Sequence, residues 1–178
     1  MAYITPETLK KFSDKFPSDE TLLQNYCDSA EKIIEDYLGY CPESKEYTTK
    51  IRGFNSKALP LEAKPISSVS EISADGESID ILNIQIIKNT NYIEFADNST
   101  FLNSVTYDVT YTAGYSTVPA PIVTAALQIA SLLWESAGGN LAVTSTSFID
   151  SGSRTFQSFK PDRFLDTISI YKMPKVDY

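Results

Sequence analysis

The chain has 178 residues, of which 42% are hydrophobic, and a formal net charge of −8; this fits one domain, or one domain with an insertion, with a sizeable core. Binding nucleic acid through its phosphates needs clustered Lys and Arg, so the acidic balance argues against that function. The sequence contains no histidine, which excludes Ser-His-Asp and Cys-His catalysis and histidine-based zinc or iron sites.

Two helices are predicted at the start of the chain. Thr5-Pro6-Glu7 has the cap, proline and acid typical of a helix start, and we expect a short helix over residues 5–12. Ser18-Asp19-Glu20 starts a second, amphipathic helix over residues 19–38, which Gly39 ends. One face of this helix carries charges that we interpret as solvated: Asp28, Glu31, Lys32, Glu35 and Asp36.

The two cysteines are not expected to form a disulfide. Cys27 lies in the middle of the second helix and Cys41 just beyond its end. A helical rise over the intervening residues separates them by about 20 Å, which is too far for an S–S bond. We interpret Cys27 as a small buried apolar residue.

From about Tyr47 the hydrophobic period changes from that of a helix to that of a strand. Asp75-Gly76 and the Asn89–Asn91 stretch supply turns, and Pro60 and Pro65 indicate edge strands or strand ends. We therefore predict a small antiparallel β unit over about residues 45–115. Its candidate strands are Tyr47–Phe54, Ala58–Leu61, Val69–Ser73, Ile84–Lys88, Tyr92–Phe95 and Val105–Thr112.

A strand, a turn at Gly114 and a strongly apolar helix over residues 119–137 follow. Ile122 to Trp134 carries no charge, and a helix apolar nearly all round is buried in a core, a membrane or a subunit interface. Roughly 13 apolar residues are too few for a span, which needs about 20. We expect one face in the chain's own core and the other against a neighbouring subunit; a central helix of a monomer is the alternative. The subunit-interface candidates are Ile122, Ala125, Ile129 and Leu132.

The end of the chain differs in chemistry from the rest. Residues 1–140 have a net charge of −9, whereas residues 141–178 have +1. Residues 138–158 are rich in Ser, Thr and Gly, and we predict a loop that becomes ordered on a partner, with a plain surface loop as the alternative. A last helix starts at Pro161-Asp162-Arg163. The fold class is thus α+β, with a core over residues 1–140 and a flexible arm with a C-terminal helix over 141–178.

Sequence motifs for chemistry are missing. The sequence has no Walker loop, no GxGxxG, no GxSxG and no paired-cysteine metal site. We therefore predict no enzyme, no cofactor and no metal. Nor does an apolar signal segment open the sequence, so we expect a protein made and kept in the cytoplasm unless it leaves as part of something larger.

Three stretches, in this order, resemble the head–tail connector (adaptor) proteins of tailed bacteriophages and prophages, in the variety with a β insertion. The first is TPETLKKF followed by DETLLQNYCDSAEKIIEDYLGY. The second is LPLEAKPISSVSEISADGESI, and the third is VTYTAGYSTVPAPIVTAALQIASLLWE. Together they cover most of the chain, whereas the part after Gly138 matches only in character.

The resemblance implies a structural virion protein, found in the neck of the particle and in the host cytoplasm during assembly. Such proteins form a ring, commonly of twelve copies, between the portal and the next tail-side ring, and DNA passes through the lumen without specific binding. It also implies that residues 138–178 face the portal. The portal-contact candidates are Phe148, Arg154, Phe156, Phe159 and Arg163.

Two other functions stay open at this point. A stopper or tail-completion protein would join a different ring of the same machine. A small β-type module that binds a sugar or a peptide is the alternative from another class, since eleven tyrosines and one tryptophan could line its site.

Overall fold

The structure, a computed structural model, describes residues 2–13, 15–138, 145–148, 152–155 and 160–173, the two four-residue stretches by their backbone. The chain divides into two compact units. The helical unit comprises Met1–Tyr37 and Pro119–Lys172, and the β unit comprises Leu38–Val118 and Met173–Tyr178. The α+β prediction is confirmed.

The helical unit contains the predicted helices, each within one residue of its expected bounds at either end. They are α1 (Pro6–Phe12), α2 (Glu20–Leu38, whose last residue belongs to the β unit) and α3 (Ala120–Gly138). The Thr5 side chain accepts a hydrogen bond from the Thr8 N–H, and the Asp19 carboxylate accepts one from the Leu22 N–H at 3.1 Å. Both helix starts are thus capped by the residues that the sequence indicated.

The C-terminal helix is shorter and tighter than the sequence predicted. It consists of α4 (Asp162–Leu165) and a 3₁₀ helix over Asp166–Tyr171. Leu165 and Ile168 are buried, whereas Ile170 in the same 3₁₀ helix is 79% exposed. The two buried side chains therefore anchor this segment to the helical unit.

Two short strands lie within the segment that the sequence predicted to be a loop. They are β8 (Ser145–Phe148) and β9 (Gly152–Thr155), which form an antiparallel hairpin with Phe148 opposite Gly152. The Ser, Thr and Gly composition lacks the alternation of apolar and polar residues that marks a strand, so the sequence could not place them.

The β unit contains two antiparallel sheets. The order is β1-β7-β3-β4 in the first and β2-β6-β5 in the second. Six of the seven strands were predicted, and β4 was not. Their bounds are β1 (Lys45–Arg52), β2 (Ala58–Pro60), β3 (Ile66–Ala74), β4 (Glu77–Ser78), β5 (Ile84–Ile86), β6 (Tyr92–Phe95) and β7 (Thr106–Ala113).

Strand β7 lies between β1 and β3 in the larger sheet, and its sequence alternates strictly, so that one of its faces is buried. Tyr107, Val109 and Tyr111 are buried, and the residues between them are half-buried. The Tyr111 ring stacks on Tyr47 of β1 with centroids 5.5 Å apart, and the Tyr107 ring meets Phe101 edge-on at 5.0 Å. These aromatic contacts are the core of the β unit.

Two turns use backbone conformations that the sequence signalled. Asp75 and Gly76 both have positive φ, 48° and 92°, and join β3 to β4, as a two-residue hairpin turn requires. Gly114 ends β7 with a φ of 104°. A side chain there would collide with the Glu43 carbonyl oxygen, so glycine is needed for space as well as for conformation.

Helix α3 is long and apolar enough over Ala120–Ala137 to cross a membrane, judged by length and composition alone. The sequence-based estimate counted a shorter apolar run and excluded a span. Buried residues make up 28% of this segment. They include Ile122, Ala126 and Ile129, which are completely buried within the chain, so one face of the helix packs in the core.

Candidate functional site

The four subunit-interface candidates on α3 are buried within a single chain. Ile122 and Ile129 are 0% exposed, Ala125 is 1% exposed and Leu132 is 9% exposed. A role for these side chains at a subunit interface stays a prediction. As the chain is folded here, they present almost no surface to a neighbour.

The apolar surface of α3 that remains accessible lies on its other face. Trp134 is half-buried there, with the Phe16 ring 6.3 Å away and the Tyr26 ring edge-on at 5.9 Å. This aromatic cluster fixes the C-terminal half of α3 within the helical unit. The half-buried apolar residues of this face are Val123, Leu127, Leu133 and Trp134.

The portal-contact candidates fall in three different situations. Phe148 and Arg154 lie on β8 and β9, where the backbone register pairs them with Gly152 and Thr146. Phe156 and Phe159 lie outside the described residues. Arg163 is exposed on α4, and its guanidinium lies 4.4 Å from the centre of the Phe164 ring. The structure thus brings Phe148 and Arg154 into one hairpin, and the contacts with a portal stay a prediction.

A second surface, which sequence reasoning did not identify, lies on the β unit. A groove of about 400 Å³ is lined by apolar residues including Ile79, Phe95 and Leu102. Leu102 is 48% exposed, and the neighbouring Ile81 and Leu82 are 45% and 82% exposed. We call Ile81, Leu82 and Leu102, together with this groove, the tip patch. No sequence pattern indicates this patch, because residues 79–83 fit neither a helical nor a strand period.

The tip patch is held in place by its backbone. The Asp80 carboxylate accepts a hydrogen bond from the Leu82 N–H at 3.0 Å and starts the 3₁₀ helix Ile81–Asn83. The Asn83 carbonyl in turn accepts from the Ala96 N–H at 2.8 Å. Leu82 therefore sits in an ordered turn, so its exposure is a fixed feature of the surface.

No group of three or more Cys, Asp and Glu side chains that could hold a metal ion occurs among the described residues. Cys27 and Cys41 are not joined in a disulfide, as predicted. Burial, with smaller contributions from Glu31 and Asp28, raises the pKa of Cys27 to about 11, so this thiol is protonated and unreactive at neutral pH.

Residues 3–135 match the sequence profile of a family described as "Head completion protein". No curated protein is detectably similar in sequence.

Several solved structures share the fold. A chain in the "neck of native GTA particle computed with C12 symmetry" has a TM-score of 0.62 at 14% identity, covering 97% of this chain and 93% of its own. One in the "virion of native gene transfer agent (GTA) particle" has a TM-score of 0.62 at 13% identity, covering 97% and 94%. One in the "neck of empty GTA particle computed with C6 symmetry" has a TM-score of 0.61 at 14% identity, covering 90% and 82%.

Proposed function

Because this chain belongs to the head completion protein family, we propose that it forms an oligomeric ring in the neck of a phage-like particle, between the portal and the tail, and extends the DNA channel. The family match across residues 3–135 carries this proposal. It confirms the resemblance to phage connector proteins that the sequence stretches indicated. Head completion is a structural task, in agreement with the prediction that the chain is not an enzyme.

The ring is supported by the fold. The similar chains come from necks of gene transfer agent particles, two of them computed with C12 and C6 symmetry. At 13–14% identity the likeness shows a shared fold, and a fold used in a symmetric neck favours a ring here. We propose twelve copies, with the portal on one side and the next tail-side ring on the other.

The charge of the chain suits a wall along which DNA must slide. The formal net charge is −8, and residues 1–140 account for −9. Like charges repel over about one Debye length, roughly 8 Å at physiological salt. An acidic lumen therefore lets DNA pass without holding it, whereas a basic one would bind its phosphates.

We assign the portal contact to the arm, residues 141–178. Its net charge of +1 distinguishes it from the acidic remainder, and Arg163 presents an exposed guanidinium. The hairpin of β8 and β9 pairs with no other strand among the described residues. A two-stranded hairpin is marginally stable alone, so a partner surface would stabilise it.

The experiment is light scattering and electron microscopy of the purified protein, alone and mixed with its cognate portal. We expect rings or portal-bound complexes. A protein that binds no portal but binds the tail-side ring would be the stopper or tail-completion protein instead. A monomer that binds neither would overturn the proposal.

The arm requires a narrower test than deletion of residues 141–178, because that deletion also removes the buried Leu165 and Ile168. Replacing residues 145–155 by a Gly-Ser linker of equal length keeps both anchors. We expect portal binding to weaken by about ten-fold or more, the effect of losing an interface hot spot. Arg163→Ala tests the same contact with a single change. Unchanged portal affinity in both variants would refute the arm assignment.

A further inference from the structure

The two most exposed large hydrophobic side chains of the described residues lie in different units. Leu82 of the β unit is 82% exposed, and Ile170 of the helical unit is 79% exposed. Each sits in a short 3₁₀ helix fixed by neighbouring residues. Single exposed apolar side chains are common on protein surfaces, so these two point to a contact only through what surrounds them.

The two segments that contain most residues of the tip patch are acidic. Residues 75–87 and 91–106 contain five carboxylates and no Lys or Arg, and Arg52 of β1 donates a hydrogen bond from its Nε atom to the Asn103 carbonyl in the second of them. Hydrogen bonds from Ser99 lower the pKa of Asp97, one of these five, which keeps that carboxylate ionised. An occupant of this patch therefore needs an apolar side chain accompanied by positive charge.

The segment around Ile170 has these properties. Residues 160–173, which we call the knob, contain Lys160, Arg163 and Lys172 against Asp162 and Asp166, a net charge of +1. Leu165 and Ile168 are buried and hold the segment, while Ile170 projects into solvent. The knob is thus a fixed apolar side chain in slightly basic surroundings.

We propose that the tip patch binds the knob of a second copy of the same chain, so that the arm contacts the portal through its hairpin and Arg163 and a neighbouring copy through Ile170. A ring requires a heterologous contact, in which one surface of a copy meets a different surface of the next. Patch and knob are two different surfaces of opposite net charge, one in each unit. A symmetric contact between two tip patches would instead bring five carboxylates against five. This inference rests on the proposed ring and names the contact between its subunits.

The direct test is cross-linking between two variants. One chain carries Leu82→Cys, the other Ile170→Cys, and both carry Cys41→Ser, so that the buried Cys27 is the remaining native thiol. Mild oxidation of the mixture, with portal present as template, should produce covalent heterodimers. The matched control replaces Ile170→Cys by Phe12→Cys, which also lies in the helical unit and is 45% exposed in the native chain.

The outcomes separate the two proposals. Heterodimers well above the control level support the patch–knob contact. Rings that form with cross-linking at the control level would overturn it and leave the proposed function standing. Protection of Leu82→Cys from a thiol reagent by portal would also overturn it if that protection is equally strong when the chain also carries Ile170→Asp, because portal and not a neighbouring copy would then be the occupant. If neither rings nor portal complexes form, the proposed function and the contact fail together.

A second variant checks the contact without cysteines. Leu82→Asp should preserve the circular dichroism spectrum, because the side chain is 82% exposed, and should weaken self-association by about ten-fold or more, as loss of a hot spot does. Assembly equal to that of the native chain would contradict the inference.

Discussion

The backbone N–H of Ile4 donates a hydrogen bond to the Oε1 atom of Glu31 at 2.8 Å. The Tyr3 hydroxyl lies 3.3 Å from the Glu31 carbonyl oxygen and donates to it. The segment before α1 is therefore joined to the middle of α2 by one residue. In the sequence, Glu31 looked like one of several charges on a solvated helix face.

Glu31→Ala should lower the free energy of unfolding by about 1–2 kcal/mol, because the Ile4 N–H loses its acceptor in a partly buried position. Glu31→Gln keeps an acceptor oxygen and should recover most of this loss. Urea denaturation measures both. The matched control is Glu35→Ala on the same helix, whose carboxylate is 3.9 Å from the Lys32 ammonium and should contribute less than about 0.5 kcal/mol. Equal losses of unfolding free energy in Glu31→Ala and Glu35→Ala would show that the hydrogen bond to Ile4 stabilises the chain no more than the ion pair of Glu35 does.

Two glycines with similar backbone angles should respond very differently to alanine. Gly114 and Gly76 have φ values of 104° and 92°, so both substitutions incur the strain of a left-handed conformation, about 1–2 kcal/mol. A Cβ at Gly76 meets nothing within 4 Å, whereas one at Gly114 meets the Glu43 carbonyl and comes within 2.8 Å of the Ser44 nitrogen. Gly114→Ala should therefore be the more destabilising change in thermal melts. Similar melting temperatures for Gly114→Ala and Gly76→Ala would show that the backbone at Glu43 moves away from the added Cβ at little cost in free energy.

Stability should fall at alkaline pH through Cys27. The folded-state pKa is about 11 against an ordinary value of 9.0, mainly because of burial. The folded chain thus holds this proton more tightly, so its contribution is fully present below pH 9 and is lost as the pH rises towards 11. The loss is on the order of 2 kcal/mol. Cys27→Ala, measured by denaturation at pH 8 and pH 10.5, should lose less stability over this range than the native chain. Identical losses would refute the assignment to this thiol.

Ile168 and Ile170 are two residues apart in the same 3₁₀ helix. Substitution of the first should affect the stability of the fold, and substitution of the second should affect assembly. Ile168 is completely buried and Ile170 is 79% exposed. Ile168→Ala should lower the free energy of unfolding by about 2–4 kcal/mol. Ile170→Ala should change it by less than about 0.5 kcal/mol and should weaken self-association if the knob binds a neighbouring copy. If Ile170→Ala left self-association unchanged, Ile170 would not be part of a contact between copies.

Local signals in the sequence were sufficient for most elements. Thr5 and Asp19 mark helix starts because their side chains satisfy N–H groups without partners, and Asp75-Gly76 marks a hairpin because both residues tolerate positive φ. Strand β7 was recognisable because burial on one face imposes a period of two.

Features that depend on contacts between residues far apart in the sequence could not be predicted from the sequence. Helix α3 is apolar nearly all round, so its period cannot say which face meets the chain's own core; Ile122 and Ile129, assigned to a neighbouring subunit, are buried here. The division of the strands into two sheets depends on pairings such as that of β1 with β7, far apart in sequence. The exposure of Leu82 follows from the Asp80 turn, which carries no periodic signal.

The order of the segments in the chain also determines the order in which the two units can fold during synthesis. The helical unit takes its parts from both sides of the β unit, and about 80 residues separate the end of α2 from the start of α3. At the usual pace of about 5–20 residues per second, Tyr26 of α2 waits roughly 4–16 seconds before α3, which carries its ring partner Trp134, begins to emerge. All strands of the β unit are complete by Ala113, so we expect it to fold first on the ribosome while α2 is the segment that a chaperone would cover.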